Sequence, residues 1–307
     1  MTSTSPSTVL VFLDPAHPQG RLADASVPQL MATDLGATRG DGVFESLLVL
    51  DGKLRKLPAH LARLAGSARA LELEISGEDA WRAAIGTAVE NYLESHPGVD
   101  EFVVKLLVTR GVEGAGAPTE WVQASPAPAL GKKQRVEGID VVLLDRGYDS
   151  DLADRAPWLL LGAKTLSYAV NMAALRHAHS LGADDVIFLS ADGRVLEGPT
   201  STVLLAHRDV NDDGSVTKRL VTPQLDSGIL PGTSQGALFT AAKAAGWELG
   251  YGPLEPEDLF DADAVWLISS IRLIAPVKHI DGKEIGSDPA VAAELTEELN
   301  RLFAGIE

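Results

Sequence analysis

One lysine and one glutamate carry the residue types needed for carbonyl chemistry. Lys164 closes the apolar run Trp158-Leu159-Leu160-Leu161-Gly162-Ala163, and Glu197 follows in Arg194-Val195-Leu196-Glu197-Gly198, after an Asp192-Gly193 turn. The apolar run reads as a buried strand. A lysine at its end loses solvation, which makes the neutral amine accessible near neutral pH. A neutral amine can form a Schiff base with a carbonyl cofactor. A nearby carboxylate could keep the nitrogen of a pyridine ring protonated, so that the ring draws electrons from adjacent bonds. The same residues also have an ordinary structural reading, as a snorkelling lysine and a solvated strand-end glutamate.

Several other residues could hold an anion. Gly228-Ile229-Leu230-Pro231-Gly232-Thr233-Ser234 stands directly before an expected helix. N–H groups at a helix start bind phosphate, and Thr233 and Ser234 add hydroxyls; ordinary capping is the alternative. Arg63 lies beside the apolar face of a helix, where it is either solvated or a bidentate partner for phosphate. Arg39, in a glycine-flanked loop, and Arg110, at a strand end, could each bind a substrate carboxylate or form a salt bridge. Ser269-Ser270 closes an apolar strand and could face a ligand or cap a turn. Asp209-Val210-Asn211-Asp212-Asp213-Gly214 begins like a calcium loop, but Leu220 stands where a glutamate is needed, so it reads as a hairpin turn. His177 and His179 point to different faces of a helix, and no metal site is expected. No dinucleotide or P-loop glycine motif is present.

The elements that must position these residues follow from periodicity and turn chemistry. Strands are expected at 9–13, 42–50, 53–57, 102–109, 121–124, 139–144, 186–189, 194–196, 202–206 and 265–269. Asp51-Gly52 marks a hairpin between the second and third of these. Helices are expected at 58–71, 78–95, 166–181, 235–245 and 289–303. Hairpins lie beside helices in both halves, which predicts an α+β chain of two domains. The expected divisions are a disordered tail at 1–8, a smaller domain at 9–125, a Gly/Pro/Ala-rich link at 126–138, and a larger domain at 139–307 carrying Lys164.

Composition narrows the class. The 307 residues are 45% hydrophobic, enough for a sizeable core, and no run is long enough to span a membrane. A formal charge of −17 opposes binding to nucleic acid or to anionic membranes. With no cysteine, disulfides, thiolate metal sites and cysteine nucleophiles are excluded. The N-terminal residues lack the basic and apolar regions of a signal peptide, so a cytoplasmic location is the simplest expectation.

Taken together, three groups of segments resemble the class IV, or fold type IV, pyridoxal-phosphate enzymes. These are Arg39-Gly-Asp-Gly-Val-Phe-Glu45 with His60-Leu-Ala-Arg-Leu64; Lys164-Thr-Leu-Ser-Tyr168 with Glu197-Gly-Pro-Thr-Ser-Thr202; and Ile229-Leu-Pro-Gly-Thr-Ser234 with Ser269-Ser-Ile-Arg272 and Pro276-Val277. The resemblance runs from about residue 34 to 282 in consistent order and spacing. It implies two α+β domains with pyridoxal 5'-phosphate between them, in a homodimer. It also implies Lys164 as Schiff-base lysine and proton shuttle, and Glu197 as partner of the pyridine nitrogen. Arg63, Thr233, Ser234 and Ser270 match phosphate positions, Leu230 a residue packed on the ring, and Tyr168 or Ser167 a neighbour of the ring hydroxyl.

Members of this family share the cofactor machinery and differ in the substrate pocket. Val108-Thr-Arg-Gly111 and Ser270-Ile-Arg-Leu-Ile-Ala-Pro-Val277 look more like 4-amino-4-deoxychorismate lyases, which release pyruvate and form 4-aminobenzoate for folate synthesis. Arg39, Arg110 and Arg272 would suit the two carboxylates of that substrate. Three positions depart from the family pattern. Arg39 stands where an aromatic is common, Val112 to Pro118 lacks a second arginine, and Ser269 replaces an asparagine. The alternatives are an aminotransferase for D- or branched-chain amino acids with a 2-oxo acid acceptor, and a non-catalytic binding relative. Retention of both Lys164 and Glu197 argues against the last.

Overall fold

The structure is a computed structural model that describes residues 8–286 and 288–306. The expected tail lies outside these residues, apart from Thr8. The chain divides into two compact units. The first contains 8–128 together with Ala163–Tyr168, and the second contains Ala129–Gly162 and Ala169–Ile306.

In chain order, unit 1 holds β1 (Val9–Asp14), β2 (His17–Ala23), α1 (Leu35–Arg39), β3 (Gly42–Leu50) and β4 (Lys53–Leu54). α2 (Leu57–Ala70), α3 (Glu78–Ser95), β5 (Glu101–Thr109) and β6 (Thr119–Pro126) follow. Its sheet is antiparallel, in the order β2-β1-β6-β5-β3-β4. The β3–β4 turn is made by Asp51 and Gly52 at φ 49° and 74°, the left-handed pair that a tight hairpin requires. Helices α2 and α3 cover one face, closing a core of Leu47, Leu64, Trp81, Ile85, Leu106 and their neighbours. Along β3, Val43, Glu45 and Leu47 are all fully buried. Their spacing of two puts them on one face, so a carboxylate occupies a core position.

Unit 2 holds α4 (Ala129–Glu137), β7 (Ile139–Asp145), α5 (Leu152–Arg155), α6 (Ala169–Ser180), β8 (Asp185–Leu189), β9 (Thr202–Val210) and β10 (Val216–Pro223). It continues with α7 (Thr233–Ala244), β11 (Glu248–Gly252), α8 (Pro256–Asp261), β12 (Ala264–Ser269), β13 (Leu273–Ile280), β14 (Lys283–Glu284) and α9 (Pro289–Ala304). The sheet order is β11-β10-β9-β12-β13-β7-β8, with β14 beside β13. One face packs Leu204, Trp266 and Ile268 against Leu238 of α7 and Leu295, Leu299 and Phe303 of α9. The turn at 211–214 joins the antiparallel pair β9–β10, as the hairpin reading expects.

Three expected elements are corrected. The run 158–163 is no strand: Pro157–Leu159 form one 3-10 turn, Leu160 takes φ 56°, and Trp158 and Leu159 are 74% and 49% exposed. Pro157 at the first position of a turn favours helical over extended backbone. The helix after Lys164 starts at Ala169 rather than 166, because 163–168 is extended along β3. Residues 194–196 make an isolated bridge between Leu189 and Val195 rather than a strand; Val195 N–H instead donates to Leu254 O. The region expected as a link contains α4, and Lys164 groups with unit 1 rather than with the C-terminal unit. Backbone bonds explain the grouping: Phe44 N–H donates to Lys164 O at 3.0 Å, and Leu166 N–H to Gly42 O at 2.8 Å.

Candidate active site

The site residues of unit 1 converge on β3 and α2. Gly42 lets the 163–168 segment approach, since a Cβ there would collide with the carbonyl of Val108 and crowd Leu166. Lys164 N–H donates to Ser67 Oγ of α2 at 3.0 Å. Its Nζ lies 3.4 Å from Tyr168 OH and 4.4 Å from the centre of the Phe44 ring. The Tyr168 ring meets Phe44 edge-on at 5.2 Å. An amine beside a phenol and an aromatic face is confined and partly desolvated. Ser167 Oγ donates elsewhere, to Gly40 O at 3.2 Å.

Arg63 is not a solvated helix residue. Its Nε–H donates to Glu45 Oε1 at 2.6 Å and a terminal N–H to Glu45 Oε2 at 2.9 Å. His60 Nδ1 lies 2.7 Å from Glu45 Oε2. Burial alone would raise the Glu45 pKa, but hydrogen bonds from His60 and Arg63 reverse this and bring it down to about 2. Burial drives the His60 pKa down, which leaves a neutral ring donating from Nδ1. Both shifts mean that the folded state binds fewer protons than the unfolded state on acidification. The contribution of Glu45 is therefore present above its ordinary 4.5 and lost as pH falls toward about 2. Melting temperature followed from pH 6 to pH 2 should fall in that window, and the fall should be shallower in Glu45→Gln. Equal slopes would contradict the assignment. Glu45 and His60 fall within the segments that resemble the family, but their types and spacing alone assign neither a role. The available signal was a charged residue at the inward-facing position of an apolar strand.

In unit 2 a second group forms where the chain enters α7. Gly232 is the N-cap and makes no side-chain cap bond; a Cβ there would meet Thr202 Oγ1. Thr233 and Ser234 are therefore the first helical residues rather than the cap. Their hydroxyls lie 3.1 and 3.3 Å from Ser270 Oγ. Three hydroxyls at a helix start make a donor set suited to a phosphate dianion. Before this helix, Leu230 N–H donates to Glu197 Oε2 at 3.1 Å, which fixes the half-buried carboxylate. The loop carrying Ser270 is held from below: Arg135 of α4 donates to the carbonyls of Ile271 and Arg272 at 2.7 and 2.9 Å.

The candidate carboxylate-binding arginines separate. Arg272 is buried against Asp185, 2.7 Å away, with the two side chains 11% and 2% exposed. Removing one partner strands a buried charge. Asp185→Ala should therefore cost about 3–5 kcal/mol in urea unfolding; a loss below about 1 kcal/mol would contradict a buried pair. Arg110 donates to both Asp41 oxygens, at 2.7 and 3.2 Å, and to Leu71 O. Arg39 lies in the last turn of α1 rather than in a loop, because Asp34 caps that helix and Gly40 ends it. Arg39 is exposed and has no ion pair among the described residues. Among the described residues no group of three or more His, Asp or Glu is placed to hold a metal ion, and no helix is long and apolar enough to cross a membrane.

Unit 1 holds a confined lysine, and unit 2 a pinned carboxylate and a hydroxyl-lined helix start, residue types whose chemistry suits pyridoxal 5'-phosphate. A family model described as "Amino-transferase class IV" matches residues 42–280, and the chain belongs to that family. It is 46% identical over 280 residues to the "Bifunctional aminodeoxychorismate lyase / D-amino acid transaminase" of Mycobacterium tuberculosis, covering 91% of this chain and 96% of that one. A solved structure named "A hypothetical aminotransferase from Mycobacterium tuberculosis, PLP-bound form" superposes with a TM-score of 0.86 at 42% identity, covering 96% of this chain and 98% of that one. The same protein's "alpha-ketoglutarate and PMP bound form" gives 0.86 at 43% identity, with the same coverage.

Proposed function

We propose that this enzyme releases pyruvate from 4-amino-4-deoxychorismate to give 4-aminobenzoate for folate synthesis. We propose also that the same machinery transfers the amino group of a D-amino acid to a 2-oxo acid. The observation that carries both is the 46% identity to a mycobacterial protein named for the two activities. The 2-oxoglutarate-bound form of a 43% identical neighbour supports the second.

When bound, pyridoxal phosphate supplies an aldehyde for the substrate amine and a pyridine ring that accepts electrons from a breaking bond. The chain supplies the rest. Lys164 would hold the cofactor through Nζ, and its freed amine would move a proton at the carbon bearing the substrate amine. Tyr168, 3.4 Å from that Nζ, would orient it and neighbour the ring hydroxyl. Glu197, pinned by Leu230 N–H, would keep the ring nitrogen protonated, and the Leu230 side chain would pack on the ring. Thr233, Ser234, Ser270 and Arg63 would hold the phosphate and so fix the ring's orientation. With Arg110 and Arg272 tied to Asp41 and Asp185, Arg39 is our candidate for a substrate carboxylate.

The test is incubation of cofactor-loaded enzyme with 4-amino-4-deoxychorismate in the absence of any 2-oxo acid. Formation of 4-aminobenzoate supports the lyase. Its absence, with D-alanine and 2-oxoglutarate still consumed, would leave only the transaminase. We further propose a homodimer, as the family resemblance implies; light scattering at the mass of one chain would refute it.

A further inference from the structure

We infer that Glu45 is a positioning residue for the cofactor phosphate, fixing the guanidinium of Arg63 with the help of His60. The inference rests on the assignment of Arg63 proposed above. Glu45 and His60 are both fully buried, and Arg63 is 14% exposed, so Arg63 is the end of the trio that reaches outward. An ion at zero exposure costs several kcal/mol unless paired, and an apolar side chain would fill that strand position at lower cost. The fold alone therefore gives no reason for a charge here; holding Arg63 does. A free arginine side chain has about 2 kcal/mol of rotamer entropy. The two bonds from Glu45 fix that freedom before an anion arrives, which is preorganisation. They anchor the guanidinium through its Nε–H and one terminal N–H.

The helix face supports the same reading. His60, Arg63 and Ser67 are spaced three and four apart on α2, so they lie on one side of it. The first orients the carboxylate, the second reaches outward, and the third receives the Lys164 backbone N–H. Arg55 and Lys56, both buried, directly precede this helix. Burial, and after it the charges of Arg55 and Arg63, push the Lys56 pKa down to about 7.

The test compares equilibrium binding of pyridoxal 5'-phosphate with that of pyridoxal, which lacks the phosphate. The ratio of the two dissociation constants isolates the phosphate contribution. Arg63→Ala tests the underlying assignment, and an unchanged ratio in that variant would remove it. Given a reduced ratio there, Glu45→Gln should also reduce it, by about tenfold for a misoriented charge-assisted contact, with little further loss in the double variant. An unchanged ratio in Glu45→Gln, or equal weakening of both ligands, would overturn the positioning role while leaving Arg63 in place. Should Glu45→Gln fail to fold, His60→Leu removes one donor to Glu45 Oε2, an oxygen that Arg63 also uses, and should lower the ratio about threefold; no change would again overturn the inference.

Discussion

Lys164→Ala should leave a folded, colourless protein whose turnover falls by roughly 10⁴-fold or more, since it removes both a covalent anchor and the proton-transferring group. The fold should tolerate the change. The bonds that place residue 164 are made by its backbone: N–H to Ser67 Oγ, and carbonyl to Phe44 N–H. The side chain contributes a contact with the Phe44 ring and one with Tyr168 OH, which an alanine loses at small cost to stability. The checks are melting temperature, the visible absorbance of lysine-bound cofactor, and both product assays. A yellow and active Lys164→Ala protein would place the chemistry on another residue.

Glu197→Gln separates binding from chemistry. Glutamine keeps the shape and an oxygen able to accept from Leu230 N–H, so the loop before α7 should hold its conformation. It cannot supply the negative charge that keeps a ring nitrogen protonated. Cofactor should still bind, within about threefold, while turnover of either substrate should drop about 10²- to 10³-fold, the range seen when one preorganised electrostatic group is removed. Unchanged turnover would take Glu197 out of its assigned role. Loss of binding and turnover in equal measure would make it a structural residue of the loop.

How much of this was legible in the sequence depended on whether the signal was local. The Asp51-Gly52 hairpin and α3, 78–95, carried their own turn and periodicity signals and stand where those place them. β2 was missed because it is a polar, largely exposed edge strand, defined by pairing with β1 rather than by its own pattern. α4 lay hidden in a Gly/Pro/Ala-rich stretch, and Gln134 is its only buried residue. The apolar run before Lys164 misled because apolar content was read as burial, whereas Trp158 is mostly exposed. Among the site residues, Lys164 and Glu197 could be chosen from type and context. The ion pairs at Arg110 and Arg272 could not be seen, because Asp41 lies 69 positions from the one and Asp185 lies in another element from the other. Glu45 was visible as a charge in an apolar strand, but its partners belong to a helix that only folding brings against it.

The most direct test of the proposed chemistry is the stoichiometry of products from 4-amino-4-deoxychorismate in a single preparation of cofactor-loaded enzyme, with no 2-oxo acid present. Equal amounts of 4-aminobenzoate and pyruvate, accumulating over many turnovers and absent with Lys164→Ala, are the expected result. A single burst equal to the enzyme concentration, or no 4-aminobenzoate at all, would contradict the lyase and leave amino transfer as the reaction of this site.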